Sequence, residues 1–328
     1  MIDPIARCPK WLIDRIGDSG GSISFYRYMD LVLNDPDNGF YSTGKLNIGK
    51  NGDFCTSPSL SNDFARLLAI QVVDWLLDLE KSGIDSKLLS LIEIGPGEGT
   101  LSRDLIVAIA EIAPALICKI ELVLVELNVG MRRRQEKVVN NSAGINCRWS
   151  SIEDLILRPV NGVVIANEVL DAFPIERLVF SDNNVFRQGV SLRKTNDEYF
   201  LEFVDLKPTS KIIKFLKESN SLLKIEFPPK DICNRWVTEW HCDVPSWFEK
   251  LSKILINGSL LVVDYAMESK RYYNAMRKDG TLISYRNQVA NSNVLQDAGL
   301  CDLTAHLCIE STINYALSNG WKFLGETR

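Results

Sequence analysis

Only two histidines occur in 328 residues, and the eight cysteines are scattered with no CxxC pair. That scarcity excludes the common zinc ribbons and suggests no disulfide framework, so no metal site is expected. The thiols are expected to be reduced and mostly buried. No apolar run approaches the roughly 18 residues that would span a bilayer. The opening stretch, MIDPIARCPKWLIDRIGDSGG, carries acids at Asp3, Asp14 and Asp18, so it matches neither a secretory nor a transit peptide. A soluble, intracellular, cytoplasmic protein is the expectation. There is no lysine-rich tail, and 37 Lys plus Arg stand against 42 Asp plus Glu, a formal charge of -5. Nucleic acid is therefore not an expected partner. No internal repeat or low-complexity segment breaks the chain.

What is present is a globular composition, 46% hydrophobic, enough to bury a full core. Residues 23 to 64 are rich in Gly, Asn, Asp, Pro and aromatics, which is turn chemistry more than regular structure. From Phe64 to Leu79 the apolar residues recur at helical spacing. Alternation follows, with strands expected at 88 to 94, 119 to 126, 146 to 149 and 162 to 168 and helices at 101 to 113, 131 to 139 and 152 to 157. Such alternation implies βαβ units and a mostly parallel α/β sheet. Residues 177 to 204 change to short strands separated by DNN and KTNDE, a small antiparallel insertion. Helices are expected at 210 to 223 and 244 to 255. The sheet resumes at SLLVVDYA, and TAHLCI, STINYALSNG and WKFLGE supply a last strand, helix and strand. The expected division is an N-terminal extension with an active-site loop over 1 to 63, then one Rossmann-like domain over 64 to 328 with the insertion at about 175 to 235.

In parallel sheets ligands bind beyond the carboxyl ends of the strands, where EIGPGEG, VEL and ANE all stop. The loop Gly95, Pro96, Gly97, Glu98, Gly99 is one residue tighter than the dinucleotide fingerprint G-x-G-x-x-G. Glu93 lies before it and Glu98 within it, so a pyrophosphate would meet two carboxylates at a helix start that otherwise favours anions. A nicotinamide enzyme is disfavoured on both counts. S-adenosylmethionine fits better, because it carries positive groups and no phosphate. Glu126, at the tip of the second strand, is placed to accept both ribose hydroxyls. After the third strand, Ser151 and Ile152 could flank the adenine; a plain helix cap is the alternative.

Methyl transfer from a sulfonium is an in-line displacement, so the protein chiefly positions the acceptor and keeps water out. The polar end of the fourth strand supplies Asn167, Glu168 and Asp171, and the loop IGKNGDFCTSP supplies Asp53 and Thr56. An arginine acceptor is charged at physiological pH and would need carboxylates to orient it, which Glu168 with Asp171 or Asp53 could provide. Asp171 as a helix cap and Asp53 as a brace for its own glycine turn are the structural alternatives.

The segments ISFYRYMDLVLNDPDNGFYS, IGKNGDFCTSPSLSNDF, IEIGPGEGTL, VELNVGMRRRQ, IANEVLDAFPI, LLVVDYA, DGTLISYR and DLTAHL occur in this order between about residues 23 and 309. In this set the chain resembles the MidA-like methyltransferases, a group that includes the mitochondrial complex I assembly protein-arginine methyltransferase and bacterial relatives. The resemblance implies a Rossmann-like class I S-adenosylmethionine-dependent methyltransferase acting on a protein substrate, with arginine as acceptor. It further implies that Gly95, Gly97, Gly99 and Glu126 bind the cofactor, that Asn167 and Glu168 sit at the methyl, and that the loop from Gly49 to Pro58 closes over the site. His306 matches too, as a site residue or a structural one. The chain departs from the family at Ser59, where an acid is usual, at Asn128 and Val129 in place of Ser-Pro, at Ala266 and at Cys308. A non-catalytic assembly factor that keeps the fold is the alternative function.

Overall fold

The computed structural model describes residues 5 to 327 except 45 to 48, 50, 51, 54 to 56, 84 to 87, 140 to 143 and 233. By its contacts the chain forms two compact units. One comprises residues 44 to 170 and 246 to 264, the other 1 to 43, 171 to 245 and 265 to 328. The expected division near residue 63 therefore differs from the observed one.

The first unit is built on a five-stranded, all-parallel sheet. Its strands are β1 (Leu89–Ile94), β2 (Ile120–Val125), β3 (Asn146–Ser150), β4 (Val160–Asn167) and β5 (Leu255–Val263), in the spatial order β5-β4-β1-β2-β3. The connections are α1 (Asp63–Lys81) before the sheet, α2 (Thr100–Ile112) after β1, α3 (Val129–Val139) after β2 and α4 (Ile152–Leu157) after β3. Every residue of β1 and β2 is buried, the signature of strands covered on both faces. Leu91, Leu122, Leu124, Val163 and Ile165 pack with Ala69, Val72, Leu76, Leu105 and Ile109 of α1 and α2 in one apolar core. Each such aliphatic side chain contributes about 1.5–3 kcal/mol by leaving water. One polar ladder crosses this layer: Ser90 Oγ donates to Glu121 (2.8 Å), and Arg148 donates twice to the same carboxylate at 3.0 Å. It ties β1, β2 and β3 side by side. The strand order reverses direction at β1, so the switch point of the sheet lies between the carboxyl ends of β1 and β4, where parallel sheets place ligands.

The second unit carries a mixed set of antiparallel strands. Glu176–Ser181, Asn184–Thr195 and Glu198–Leu206 form a meander, but the N-terminal strands Ala6–Arg7 and Ser22–Ser24 and the later Arg235–Trp240 complete a six-stranded sheet with it. The expected small insertion is thus the centre of a unit that takes up the N-terminal extension. Trp236, Phe180, Phe215, Phe227 and Trp240 form its aromatic core under the helix Ser210–Leu223. The turn-rich reading of 23 to 64 is corrected at its start. Phe25–Asn34 is a helix whose cap Ser24 accepts from the Arg27 N–H, with Phe25, Tyr28, Met29, Val32 and Leu33 buried at helical spacing. The tail WKFLGE forms no strand; it is irregular and largely exposed. Among the described residues no helix is long and apolar enough to cross a membrane, and no group of His, Cys, Asp or Glu is arranged to hold a metal.

Candidate active site

β1 ends at Ile94 and the chain turns through three glycines in left-handed backbone, Gly95 (φ 63), Gly97 (φ 51) and Gly99 (φ 82). Side chains rarely adopt this conformation, so the loop requires glycine there for its path alone. Gly95 N–H donates to the Val125 carbonyl at 3.2 Å, anchoring the loop to the tip of β2, and Gly99 N–H closes on the Pro96 carbonyl at 2.7 Å. Space reinforces the choice: a Cβ on Gly99 would stand 3.1 Å from Val139, and one on Gly95 3.1 Å from Val169.

The acids around this loop do not act as the sequence suggests. Glu93 is only 4% exposed and accepts from Ser102 Oγ in the first turn of α2. Burial pushes its carboxyl up from 4.5 to about 7, against the opposing pull of the Ser102 donors. Glu98 forms a two-pronged ion pair with Arg134 of α3, which also donates to the Gly44 carbonyl at 3.1 Å. Neither carboxylate is an unbalanced charge facing the loop, so the electrostatic exclusion of phosphate is corrected. The tight, left-handed glycine turn and the strand-tip acid remain as the features that distinguish the ligand.

Glu126 follows β2 and is held from several directions. The Asn128 N–H donates to Oε1 (2.8 Å), Gln135 Nε2 donates to Oε2 (3.2 Å), and Arg132 Nε donates to its carbonyl (2.6 Å). Burial raises its pKa, and the Asn128 and Gln135 donors hold it down. Gln135 itself is fully buried and also donates to the Gly97 carbonyl (2.8 Å), while its Oε1 accepts from the Trp149 indole (2.8 Å). A single amide thus connects the glycine loop, the β2 acid and β3. The sequence held a signal for it: Met131, Gln135 and Val139 share one buried stripe of an otherwise charged helix. A glutamine on such a stripe needs partners inside. Asn128, a departure from the family pattern, accepts from the Met131 N–H at 2.9 Å and caps α3, work that serine also does.

Ser151 is the N-cap of α4, accepting from the Asp154 N–H (3.0 Å) and donating to its carboxylate (2.8 Å), with Ile152 the first helical residue. The cap alternative thus accounts for its hydroxyl. At the end of β4, Asn167 Oδ1 is buried without a hydrogen-bond partner among the described residues. Glu168 lies next, in left-handed backbone at φ 52. For a residue with a side chain this costs roughly 1–3 kcal/mol, and such strain gathers at functional sites. Its N–H donates to the Val263 carbonyl at 2.8 Å, and Val169 and Leu170 donate to Asp264 Oδ2 at 3.2 and 2.9 Å. Asp264 was not anticipated, although an acid at a strand tip is the same signal that singles out Glu126.

Asp53 belongs to this unit and follows a turn closed by Gly52 N–H on the Gly49 carbonyl at 2.9 Å; it is half-buried. Thr56 and part of the expected closing loop lie outside the described residues. Asp171 and His306 belong to the other unit. Asp171 is buried, and its carbonyl accepts from the Ala305 N–H (2.9 Å). His306 N–H donates to Thr281 Oγ1 (3.0 Å), its carbonyl is bonded by His241 Nε2 (2.9 Å), and its ring lies edge-on to Tyr265; burial lowers its pKa, with Arg277 and Arg271 adding to the effect. Of the predicted residues, this unit gathers the glycine loop, Glu126, Asn167 and Glu168 at the carboxyl edge of one sheet.

The sequence profile of the family described as "Putative S-adenosyl-L-methionine-dependent methyltransferase" matches residues 67–327. Among curated proteins the chain is 27% identical over 313 residues to the Protein arginine methyltransferase NDUFAF7, mitochondrial, of Xenopus laevis, covering 88% of this chain and 64% of that one. The homolog of Caenorhabditis elegans is 27% identical over 323 residues, covering 90% and 68%. The chain thus spans about two thirds of the length of these relatives. Among solved structures, a COG1565 superfamily member from Burkholderia thailandensis bound to S-adenosyl-homocysteine superposes with a TM-score of 0.79 at 28% identity, covering 94% of this chain and 75% of that one. The cytoplasmic expectation is corrected by the curated relatives, whose names are mitochondrial. An acidic opening stretch is no measure of compartment. On a match that runs over most of its length, the chain belongs to this methyltransferase family.

Proposed function

We propose that the chain transfers a methyl group from S-adenosylmethionine to a protein side chain, with arginine as the acceptor. The carrying observation is the meeting, at the switch point of one parallel sheet, of a left-handed glycine turn, a braced strand-tip carboxylate and an asparagine oxygen without a partner among the described residues. These residues fit the cofactor. The Gly95, Pro96, Gly97 and Gly99 backbone allows close approach, and the Glu126 carboxylate, with the Asn128, Gln135 and Leu127 donors, keeps lone-pair capacity for the ribose. Ser151 and Ile152 would flank the adenine, and Glu93 would support the turn from beneath through Ser102. The S-adenosyl-homocysteine held by the Burkholderia relative supports the same class of ligand.

When bound, S-adenosylmethionine supplies a methyl group activated by a positively charged sulfur. The protein's own work is to orient the acceptor and exclude water. Asn167 Oδ1 is available to accept from an N–H in the site. Glu168 would receive the acceptor guanidinium, with Asp53 of the same unit as a further acid, because charge-assisted bonds to carboxylates fix a planar cation. The arginine assignment draws support from the names of the vertebrate and nematode relatives.

The test uses the full chain, tritiated S-adenosylmethionine and an undermethylated protein extract, with label read in methylarginine after acid hydrolysis. Glu168→Gln should lower the rate by about 10²-fold or more. Gly97→Val, forced into left-handed backbone, should lose S-adenosyl-homocysteine binding in calorimetry. Wild type that binds this ligand yet labels no methylarginine would remove the acceptor assignment, and Glu168→Gln at the wild-type rate would remove Glu168 from the chemistry.

A further inference from the structure

Three successive backbone N–H groups leave the end of β4, and all three find acceptors at the tip of β5. Glu168 donates to the Val263 carbonyl (2.8 Å), and Val169 and Leu170 both donate to one oxygen of Asp264, at 3.2 and 2.9 Å. Val263 pairs with Asn167 as the last register position of the two strands, so no further backbone carbonyl of β5 continues the ladder. A short carboxylate one residue on supplies the missing acceptor instead. No helix follows to consume these donors; residues 171 to 173 form only a turn.

We propose that Asp264 is a positioning residue that fixes the direction of Glu168. The inference rests on the methyl-transfer function above. Glu168 occupies left-handed backbone, a conformation its side chain does not favour, and it is clamped on both sides. On one side it continues β4; on the other, the next two amides are tied to Asp264. Released from Asp264, the segment would relax toward ordinary backbone and turn the Glu168 carboxylate away. The same turn carries Val169, whose side chain would stand 3.1 Å from a Cβ on Gly95 and so limits the space beside the glycine turn. The acidic group therefore sets both the strand-end carboxylate and one wall of the glycine turn without itself touching the ligand.

What the turn needs is an acceptor oxygen more than a charge, and that separates positioning from general electrostatics. The experiment compares Asp264→Ala and Asp264→Asn in the full chain by three readouts: amide hydrogen exchange of the segment 166 to 171, calorimetric affinity for S-adenosyl-homocysteine, and kcat and KM for S-adenosylmethionine in the tritium assay. Asp264→Ala should speed exchange at Val169 and Leu170 and lower kcat on the order of 10²-fold, with KM and ligand affinity changed only a few fold. Asp264→Asn should restore most of kcat, since its amide oxygen still accepts. Unchanged kcat in Asp264→Ala, equal losses of kcat and ligand affinity, or an Asn variant as slow as the Ala variant would each overturn the proposal. If wild type transfers no methyl, the parent function fails while this proposal is still decided by exchange: unaltered protection at Val169 and Leu170 in Asp264→Ala overturns it, and loss of that protection upholds the clamp.

Discussion

Glu93 offers a quantitative test of how the glycine loop is supported. It is almost fully enclosed beneath the loop, its one described side-chain partner is the neutral Ser102 hydroxyl, and burial lifts its carboxyl from 4.5 to about 7. The folded state therefore holds the proton that the unfolded chain releases above pH 4.5. Linkage then sets the sign: the contribution is fully present below pH 4.5, falls as pH rises from there through 7, and is gone above. At about 1.4 kcal/mol per pKa unit, the rise corresponds to about 3 kcal/mol of stability lost by pH 8. Glu93→Gln keeps a polar group against Ser102 and cannot ionise, so its advantage over wild type should grow by about that amount between pH 4.5 and 8. Urea unfolding of both proteins across this range measures the difference directly. Parallel pH curves would refute the buried, half-protonated carboxyl. A second comparison bears on the ligand: because Glu93 faces Ser102, the substitution should change S-adenosylmethionine affinity little, whereas a large loss would return Glu93 to direct contact with the cofactor.

Gln135→Leu removes the partner of the Gly97 carbonyl, the Trp149 indole N–H and one Glu126 oxygen; at about 1–3 kcal/mol for an unsatisfied buried group, a stability loss of about 3 kcal/mol is expected. Calorimetry should also show S-adenosyl-homocysteine bound about tenfold more weakly, near 1.4 kcal/mol, and unchanged affinity and melting would contradict the link through Gln135. His241 is buried with Nδ1 unpartnered among the described residues, and burial lowers its pKa from 6.5 to about 4. Stability should therefore be full above pH 6.5 and fall as pH drops through 4; with only two histidines in the chain, an NMR titration finding His241 near 6.5 would defeat this.

The parallel sheet was legible because each strand is a short apolar run and each helix repeats at its own period, and Leu89–Ile94, Ile152–Leu157 and Val160–Asn167 fall within two residues of where those patterns predict. The helix Phe25–Asn34 was missed because its buried residues are partly aromatic and lie among turn-forming neighbours. The six-stranded sheet was underestimated for another reason. Pairing of Ala6–Arg7 with residues nearly two hundred positions later leaves no local signal in either segment. At the candidate site, the glycine turn, Glu126 and the Asn167–Glu168 strand end were legible in the chain, since spacing and strand-tip position depend on local chain geometry. Which charges are balanced became visible only in the folded chain. Arg134 is 36 residues from Glu98, Ser102 in the first turn of the next helix is nine residues from Glu93, and Asp264 is over ninety residues from the turn it holds. Charge and hydrogen bonding depend on distance in space and on burial, and a linear sequence carries neither.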